Sequence, residues 1–545
     1  MERLPWWKTV VIYQIYPRSF ADTTGNGIGD LQGIIKHLDH LNDGTPKSLG
    51  IDAIWLSPIS PSPQHDFGYD VSDYTAIEPD YGTMQDFEEL LTEAHSRRIK
   101  VILDLVLNHT SNDHPWFLES KLSRDNPKRD WYVWQNGRGR NGRKPPNNWR
   151  AYFGGSAWEW DATTQQFYLH HFLKEQPDLN YRNPEVKAAA IDVAKFWLEK
   201  GVDGFRLDVI HMLYHDRKRR NNPRSWRAIP SDMNSSFLFQ NHLYDVHQPE
   251  THEFLKDLRP LADSYDPPRM LLGEILGPPA ITKTYYGNDD ELHLVFNFIF
   301  MSRPFKAQQF KWAIDLLEES IPDPFWPAYV LSNHDRPRAY SRYKCQKNEQ
   351  KAKLLATLLL TLRGTPVVYY GEEIGMANAH VPRKRMRDPL GKRFWPFPVG
   401  RDGCRSPMHW SNTPNAGFSK ANTIPWLPLS RNWHQNNVKT QVKDSNSLLS
   451  FYRQLIWLRK SKISLNQGSL IFRRTKNTHL LVYERTSQDE TILVALNFGK
   501  KGIECELAEK EIEQPAEVLL TSWFVPPKTE WPLMIAPYGA AIWQI

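Results

Sequence analysis

Only three cysteines occur in 545 residues, Cys345, Cys404 and Cys505, and no two of them form a Cys-x-x-Cys pair. An odd number of widely spaced thiols makes neither a zinc cage nor a redox pair, so free thiols are expected. Long apolar runs are also missing. Nothing approaches the ~18 consecutive apolar residues that cross a bilayer, and Met1-Glu2-Arg3-Leu4-Pro5-Trp6-Trp7 lacks the apolar stretch of a signal peptide. The expectation is a cytoplasmic chain with no membrane partner. Charge of one sign is scarce too, at a net +6. Two basic runs, Arg217-Lys218-Arg219-Arg220 and Arg383-Lys384-Arg385-Met386-Arg387, have acids nearby and no accompanying nucleic-acid motif. They read as solvated loops rather than a nucleic-acid surface, with a phosphate on the substrate left open. Internal repeats and low-complexity tracts are absent, and 40% apolar with 24% charged residues is ordinary for a globular chain.

What is present is alternation. Short β-rich runs at 10–16, 53–57, 100–105, 204–209, 270–275, 294–298, 329–333 and 366–370 are separated by helical patterns, as parallel βα units require. Eight such runs predict an α/β fold closed into a (β/α)8 TIM barrel, over 1–109 and 180–462. One connecting helix is legible in detail, with Asn183 as N-cap, Pro184 and Glu185 in the first turn and Gly201 as terminator. Gly-, Asn- and Trp-rich sequence over 110–179 breaks the rhythm and predicts an inserted small domain after strand three, with a hairpin at 157–161 and 166–170. A Pro-, Arg- and Trp-rich stretch at about 378–428 is expected to form loops over the barrel mouth. From 463 to 545, alternating runs such as Leu480-Leu481-Val482-Tyr483 predict a C-terminal antiparallel β domain.

Three of the barrel runs end in an acid: Asp208 in Gly-Phe-Arg-Leu-Asp, Glu274 in Leu-Leu-Gly-Glu, and Asp335 in Leu-Ser-Asn-His-Asp. Ionising an acid in apolar surroundings is costly without a partner, so strands that end in one are usually making a site. Period-two alternation puts Arg206 and Asp208 on one face, toward the C-terminal mouth where barrel active sites sit. Arg206 is expected to hold Asp208 ionised. Three converging acids suit glycosidic-bond hydrolysis, in which one carboxylate attacks, a second protonates the leaving oxygen and a third steadies positive charge.

The chain resembles the α-amylase superfamily, glycoside hydrolase family thirteen, in its α-glucosidase and oligo-1,6-glucosidase branch. The resemblance rests on Gln14-Ile15-Tyr16-Pro17-Arg18-Ser19-Phe20, Asp66-Phe67-Gly68-Tyr69-Asp70, Asp104-Leu105-Val106-Leu107-Asn108-His109, Gln176-Pro177-Asp178-Leu179-Asn180, Gly204-Phe205-Arg206-Leu207-Asp208, Gly273-Glu274 and Ser332-Asn333-His334-Asp335, in order. It implies Asp208 as nucleophile, Glu274 as general acid/base and Asp335 as transition-state stabiliser. It further implies Asp66, Tyr69, His109, Phe172, Arg206, Val209, His334 and Arg401 as substrate-binding residues, with Arg405 the alternative to Arg401. In the resembling family, Val after the nucleophile accompanies acceptance of α-1,6 linkages.

No cofactor is expected for catalysis. The loop Asp22-Thr23-Thr24-Gly25-Asn26-Gly27-Ile28-Gly29-Asp30 resembles the family's calcium loop, which implies a structural Ca²⁺ on Asp22, Thr24, Asn26, Ile28 and Asp30. Thr24 and Asn26 stand where relatives often carry Asn and Asp, which removes one charge; the alternative is a metal-free Asx-turn loop. The implied activity is retaining, exo-acting release of glucose from short α-glucosides, small oligosaccharides or disaccharides. A glucosyl transferase, a trehalose- or trehalose-phosphate-acting relative, and a non-catalytic transporter heavy chain are the competing readings.

Overall fold

The computed structural model describes residues 4–228, 236–505, 507, 517–523 and 534–545. Eight parallel strands, Ile12–Ile15, Ala53–Leu56, Lys100–Leu105, Gly204–Leu207, Met270–Glu274, Leu294–Phe296, Ala328–Val330 and Thr365–Tyr369, close into a barrel in chain order. All eight overlap the runs expected from sequence, the seventh ending at Val330, three residues earlier than expected. Alternation explains why they close. Ile12, Trp55, Ile102, Leu272, Phe296, Val330 and Val367 fill the inside, while Val11, Tyr13, Ile54, Val101, Leu103 and Phe205 face the surrounding helices. Trp7 and Trp326 join the inner cluster. Gly204 is required where strands four and five meet, because a Cβ there would lie 2.4 Å from the Met270 carbonyl oxygen.

The helix Pro184–Glu199 starts as expected, with the Asn183 side chain accepting from the Glu185 N–H, and delivers the chain into strand four. Strand four stops at Leu207, two residues short of the expected end. Val209 takes φ 35° and ψ 39°, a left-handed conformation that no strand continues through and that a β-branched residue rarely adopts.

Between barrel strands three and four lies a three-stranded antiparallel sheet, Trp134–Gln135, Gln166–Leu169 and Trp158–Asp161, around Trp149, Trp158, Phe167 and Leu169. After the barrel, Ser469–Arg473, Leu480–Thr486, Thr491–Asn497, Ala540–Gln544 and Glu517–Thr521 form a five-stranded antiparallel sheet. The expected C-terminal domain also spans 506, 508–516 and 524–533, which lie outside the described residues. The three cysteines are free and buried. Among the described residues no helix is long and apolar enough to cross a membrane.

Candidate active site

Glu274 ends its strand, Asp208 directly follows Leu207 and Asp335 lies in the loop after Val330, and all three line one cavity of about 670 Å³. Two of them share a single cation. Arg206 donates from Nη1 to Asp208 at 2.6 Å and from Nη2 to Glu274. Acids held by the two ends of one guanidinium lie close together, as a pair working on one glycosidic bond must. Arg206 itself was expected to touch substrate. It does not line the cavity; it is 1% exposed and sits behind the acids, because its strand position points it into the barrel interior.

A fourth acid, unassigned in the sequence, completes this cluster. Asp104, paired with Arg206 across strands three and four, accepts from the same Nη1 at 2.6 Å, and also from the Tyr69 hydroxyl at 3.0 Å. One guanidinium cannot neutralise three carboxylates. Burial, against Arg206 and with Asp104 and Asp335 adding to it, pushes Asp208 up to about 7. Burial, with Asp208 and Asp335 adding to it, pushes Glu274 up to about 8. Arg206 does favour the ionised form of Asp208, as expected, but desolvation outweighs that one shared cation. The ordering survives, since Glu274 holds its proton to higher pH than Asp208.

Asp335 is set apart by its partners. Burial is opposed and overcome by His334 at 3.0 Å, Arg401 at 3.2 Å and Arg405 at 3.1 Å, which hold its carboxyl well below the usual range. His334 is neutral, its burial lowering it to about 3. Gln14 approaches its Nδ1 at 2.8 Å, which leaves Nε2 to carry the proton toward Tyr69 and Asp335.

Ion pairs made by Arg401 contribute to the cavity wall. Arg401 bonds Asp66 at 2.6 Å and Asp388 at 2.8 Å. Burial raises Asp66 to about 6 even so. Tyr69, His109, Phe172, Val209 and His334 line the same space, with Phe172 against His109 at 5.1 Å and Tyr152 at 5.3 Å. Arg405 does not line the cavity. It is fully buried and donates to the His334 carbonyl and to Asp335, so of the two arginines Arg401 is the one that faces a ligand. Asp388 was missed because its partner Arg401 comes from the same irregular stretch, which has no period to read.

The calcium loop does not fit a cation as it stands. Asp22 accepts from the Gly25 and Gly27 N–H groups at 2.6 and 2.8 Å and from Ser419 at 2.7 Å. Asp30 caps a helix through Gly33 and binds the Thr23 N–H, Asn26 accepts from the Ile28 N–H, and Lys420 donates to the Thr24 carbonyl at 2.8 Å. Two carboxylates occupied by N–H and O–H donors, beside an ammonium, are a self-satisfied Asx-type loop rather than the oxygen cage that Ca²⁺ takes. Among the described residues no group of three or more His, Cys, Asp or Glu is placed to hold a metal ion.

A closed (β/α)8 barrel with three acids at its C-terminal mouth, two of them coupled through one arginine, defines a glycoside hydrolase. Residues 14–468 match the alpha amylase catalytic domain and 470–542 the maltogenic amylase C-terminal domain. The chain belongs to the α-amylase family, glycoside hydrolase family thirteen, in its α-glucosidase branch. It is 43% identical to a probable alpha-glucosidase of Rhizobium meliloti (strain 1021), covering 93% of this chain and 92% of that one. It is 38% identical to an oligo-1,6-glucosidase of Parageobacillus thermoglucosidasius over the full length of both. The solved alpha-glucosyl transfer enzyme XgtA superposes with a TM-score of 0.90 at 39% identity, over 99% of this chain and all of that one.

Proposed function

We propose that the protein is a retaining, exo-acting α-glucosidase that releases glucose from the non-reducing end of short α-glucosides. Asp208 attacks the anomeric carbon while Glu274 protonates the leaving oxygen; Glu274 then deprotonates the water that frees the sugar. Asp335, kept ionised by Arg401, Arg405 and His334, stabilises the positive charge on the ring. The carrying observation is the Arg206 bridge between Asp208 and Glu274, with the acid/base holding its proton to higher pH than the nucleophile. Exo action is part of this reading, with the Arg401–Asp66 pair on the cavity wall available to hold the hydroxyls of a terminal sugar.

The test uses an aryl α-glucoside, whose leaving group needs no acid. Glu274→Gln should show a burst of phenol followed by slow turnover, and azide should speed that turnover by yielding a glucosyl azide. Asp208→Asn should show neither. Equal, azide-insensitive loss in both variants defeats the assignment.

A further inference from the structure

Two stretches far apart in sequence form one basic face. Residues 138–150 hold five cations and residues 217–227 six, with no acid in either. Eleven of the chain's 68 Lys and Arg sit here with none of its 62 acids, so the rest of the chain carries more acids than bases. Paired asparagines join the stretches. Asn147 donates to the Arg219 carbonyl at 3.1 Å, the Trp149 indole to the Arg220 carbonyl at 2.8 Å, and Asn148 and Asn222 exchange bonds of 2.8 Å in both directions. Arg138 and Lys144 close a hairpin, each N–H donating to the other's carbonyl, at 2.8 and 3.1 Å. Its tip presents Arg140 and Arg143 to solvent.

Little of this charge is answered from within the chain. Among the described residues only Arg217 and Arg220 of the eleven have a carboxylate in reach, Glu250 at 3.4 Å and Asp216 at 3.0 Å. Like charges gathered on one face repel, and a negative surface opposite them relieves that cost. Beside them stands Trp226. It is 81% exposed, more than any other large apolar side chain among the described residues.

Cations interleaved with an aromatic suit two kinds of polyanion: a single-stranded nucleic acid, whose bases stack on free ring faces, and an anionic bilayer, whose headgroup layer takes up a tryptophan. The ring faces favour the bilayer. Arg220 lies over Tyr244 at 4.1 Å and Arg143 over Trp160 at 5.5 Å, while both rings also pack against the core of the inserted sheet. Neither is free to stack a base. Arg227 covers Trp226 at 4.6 Å, so the whole face offers at most one open ring where a nucleic-acid platform uses several in succession. An indole entering a headgroup layer needs only its exposed side.

We propose that the face formed by residues 138–150 and 217–227 docks the protein on an anionic phospholipid bilayer, with guanidinium groups on the lipid phosphates and Trp226 at the interface. None of these residues lines the catalytic cavity, so docking is separate from sugar binding and does not depend on the proposed hydrolysis. The expectation of no membrane partner rested on the lack of a long apolar run, which peripheral docking does not need.

The full-length protein, native and as Arg140→Gln/Arg143→Gln/Lys144→Gln or Trp226→Ser, is sedimented with vesicles of phosphatidylcholine alone and of phosphatidylcholine mixed with phosphatidylglycerol. The native protein should bind only the mixed vesicles and leave them in ~1 M salt, which screens charges beyond about 3 Å. One basic residue near an anionic surface is worth about a 5-fold factor in affinity, so the triple variant should bind on the order of 100-fold more weakly. Brominated lipid should quench a part of the native tryptophan emission that Trp226→Ser lacks. All four substituted side chains lie at the surface, so unchanged melting temperatures will show that the variants fold; the comparison of the two vesicles needs no variant. Native protein that binds neither vesicle or both equally, anionic binding that the triple variant retains, native emission that brominated lipid leaves unchanged, or tighter binding to a single-stranded oligonucleotide than to the mixed vesicles overturns the inference.

Discussion

Asp104→Asn separates the electrostatics of this site from its shape. Asp104 and Asp208 each accept from Arg206 Nη1 at 2.6 Å, so the two oxygens lie no further apart than twice that distance, roughly 5 Å. At an effective dielectric of ~20, two unit charges at that range repel by about 3 kcal/mol, or roughly two pKa units on whichever group ionises second. Asp104 is raised to about 6 and Asp208 to about 7, so Asp104 is already charged when Asp208 titrates. Asparagine keeps the size and an acceptor for Arg206, but it removes that charge and leaves the guanidinium to Asp208 and Glu274. The acidic limb of kcat/KM, which reports the free enzyme's nucleophile, should therefore move from near 7 toward 5–6. The assay is kcat/KM on an aryl α-glucoside from pH 4.5 to 9. The position of the limb is the readout, since a loss of overall rate alone would follow from any disturbance of Tyr69 or Trp55, both of which also donate to Asp104. An acidic limb that stays put or moves upward refutes the shared-cation account.

Val209 is the expected selector of linkage: its left-handed backbone puts it on the cavity wall beside Met212, Val246, Tyr152 and Phe172. Isomaltose should be hydrolysed at least comparably to maltose, and Val209→Thr should shift the kcat/KM ratio toward maltose by about 10-fold; an unchanged ratio removes Val209 as selector. The self-satisfied Asp22–Asp30 loop should leave the melting temperature indifferent to a chelator and to added Ca²⁺, and a rise on adding Ca²⁺ would show that the loop opens to bind it.

The barrel was legible because each strand is a short apolar run, and a parallel strand buried on both faces can be little else. The three acids were legible because each interrupts such a run at its C-terminal end. Asp104 obeys the same period-two rule as Asp208, two positions beyond Ile102 on the inward face, and was within reach of the argument. Asp388 and the joined basic face were not, since both depend on irregular segments whose neighbours are set by tertiary packing. The left-handed turns at Val209 and at Leu238 and Phe239 were hidden for a sharper reason: local preference argues against them, and only the surrounding contacts hold them there. The calcium motif is a different case, because spacing of oxygen-bearing residues says nothing about which N–H groups already occupy them.

The central claim is that Asp208 becomes covalently glucosylated while Glu274 manages the proton. The direct measurement is to mix Glu274→Gln with a dinitrophenyl α-glucoside, quench in acid during the steady state, digest with pepsin and locate the modified peptide by mass spectrometry. A single glucosyl unit on the peptide carrying Asp208, lost on adding azide and absent from Asp208→Asn, is the predicted result; a glucosyl unit on Asp335 or on another residue, or an Asp208 peptide that stays unmodified while phenol is released, contradicts it.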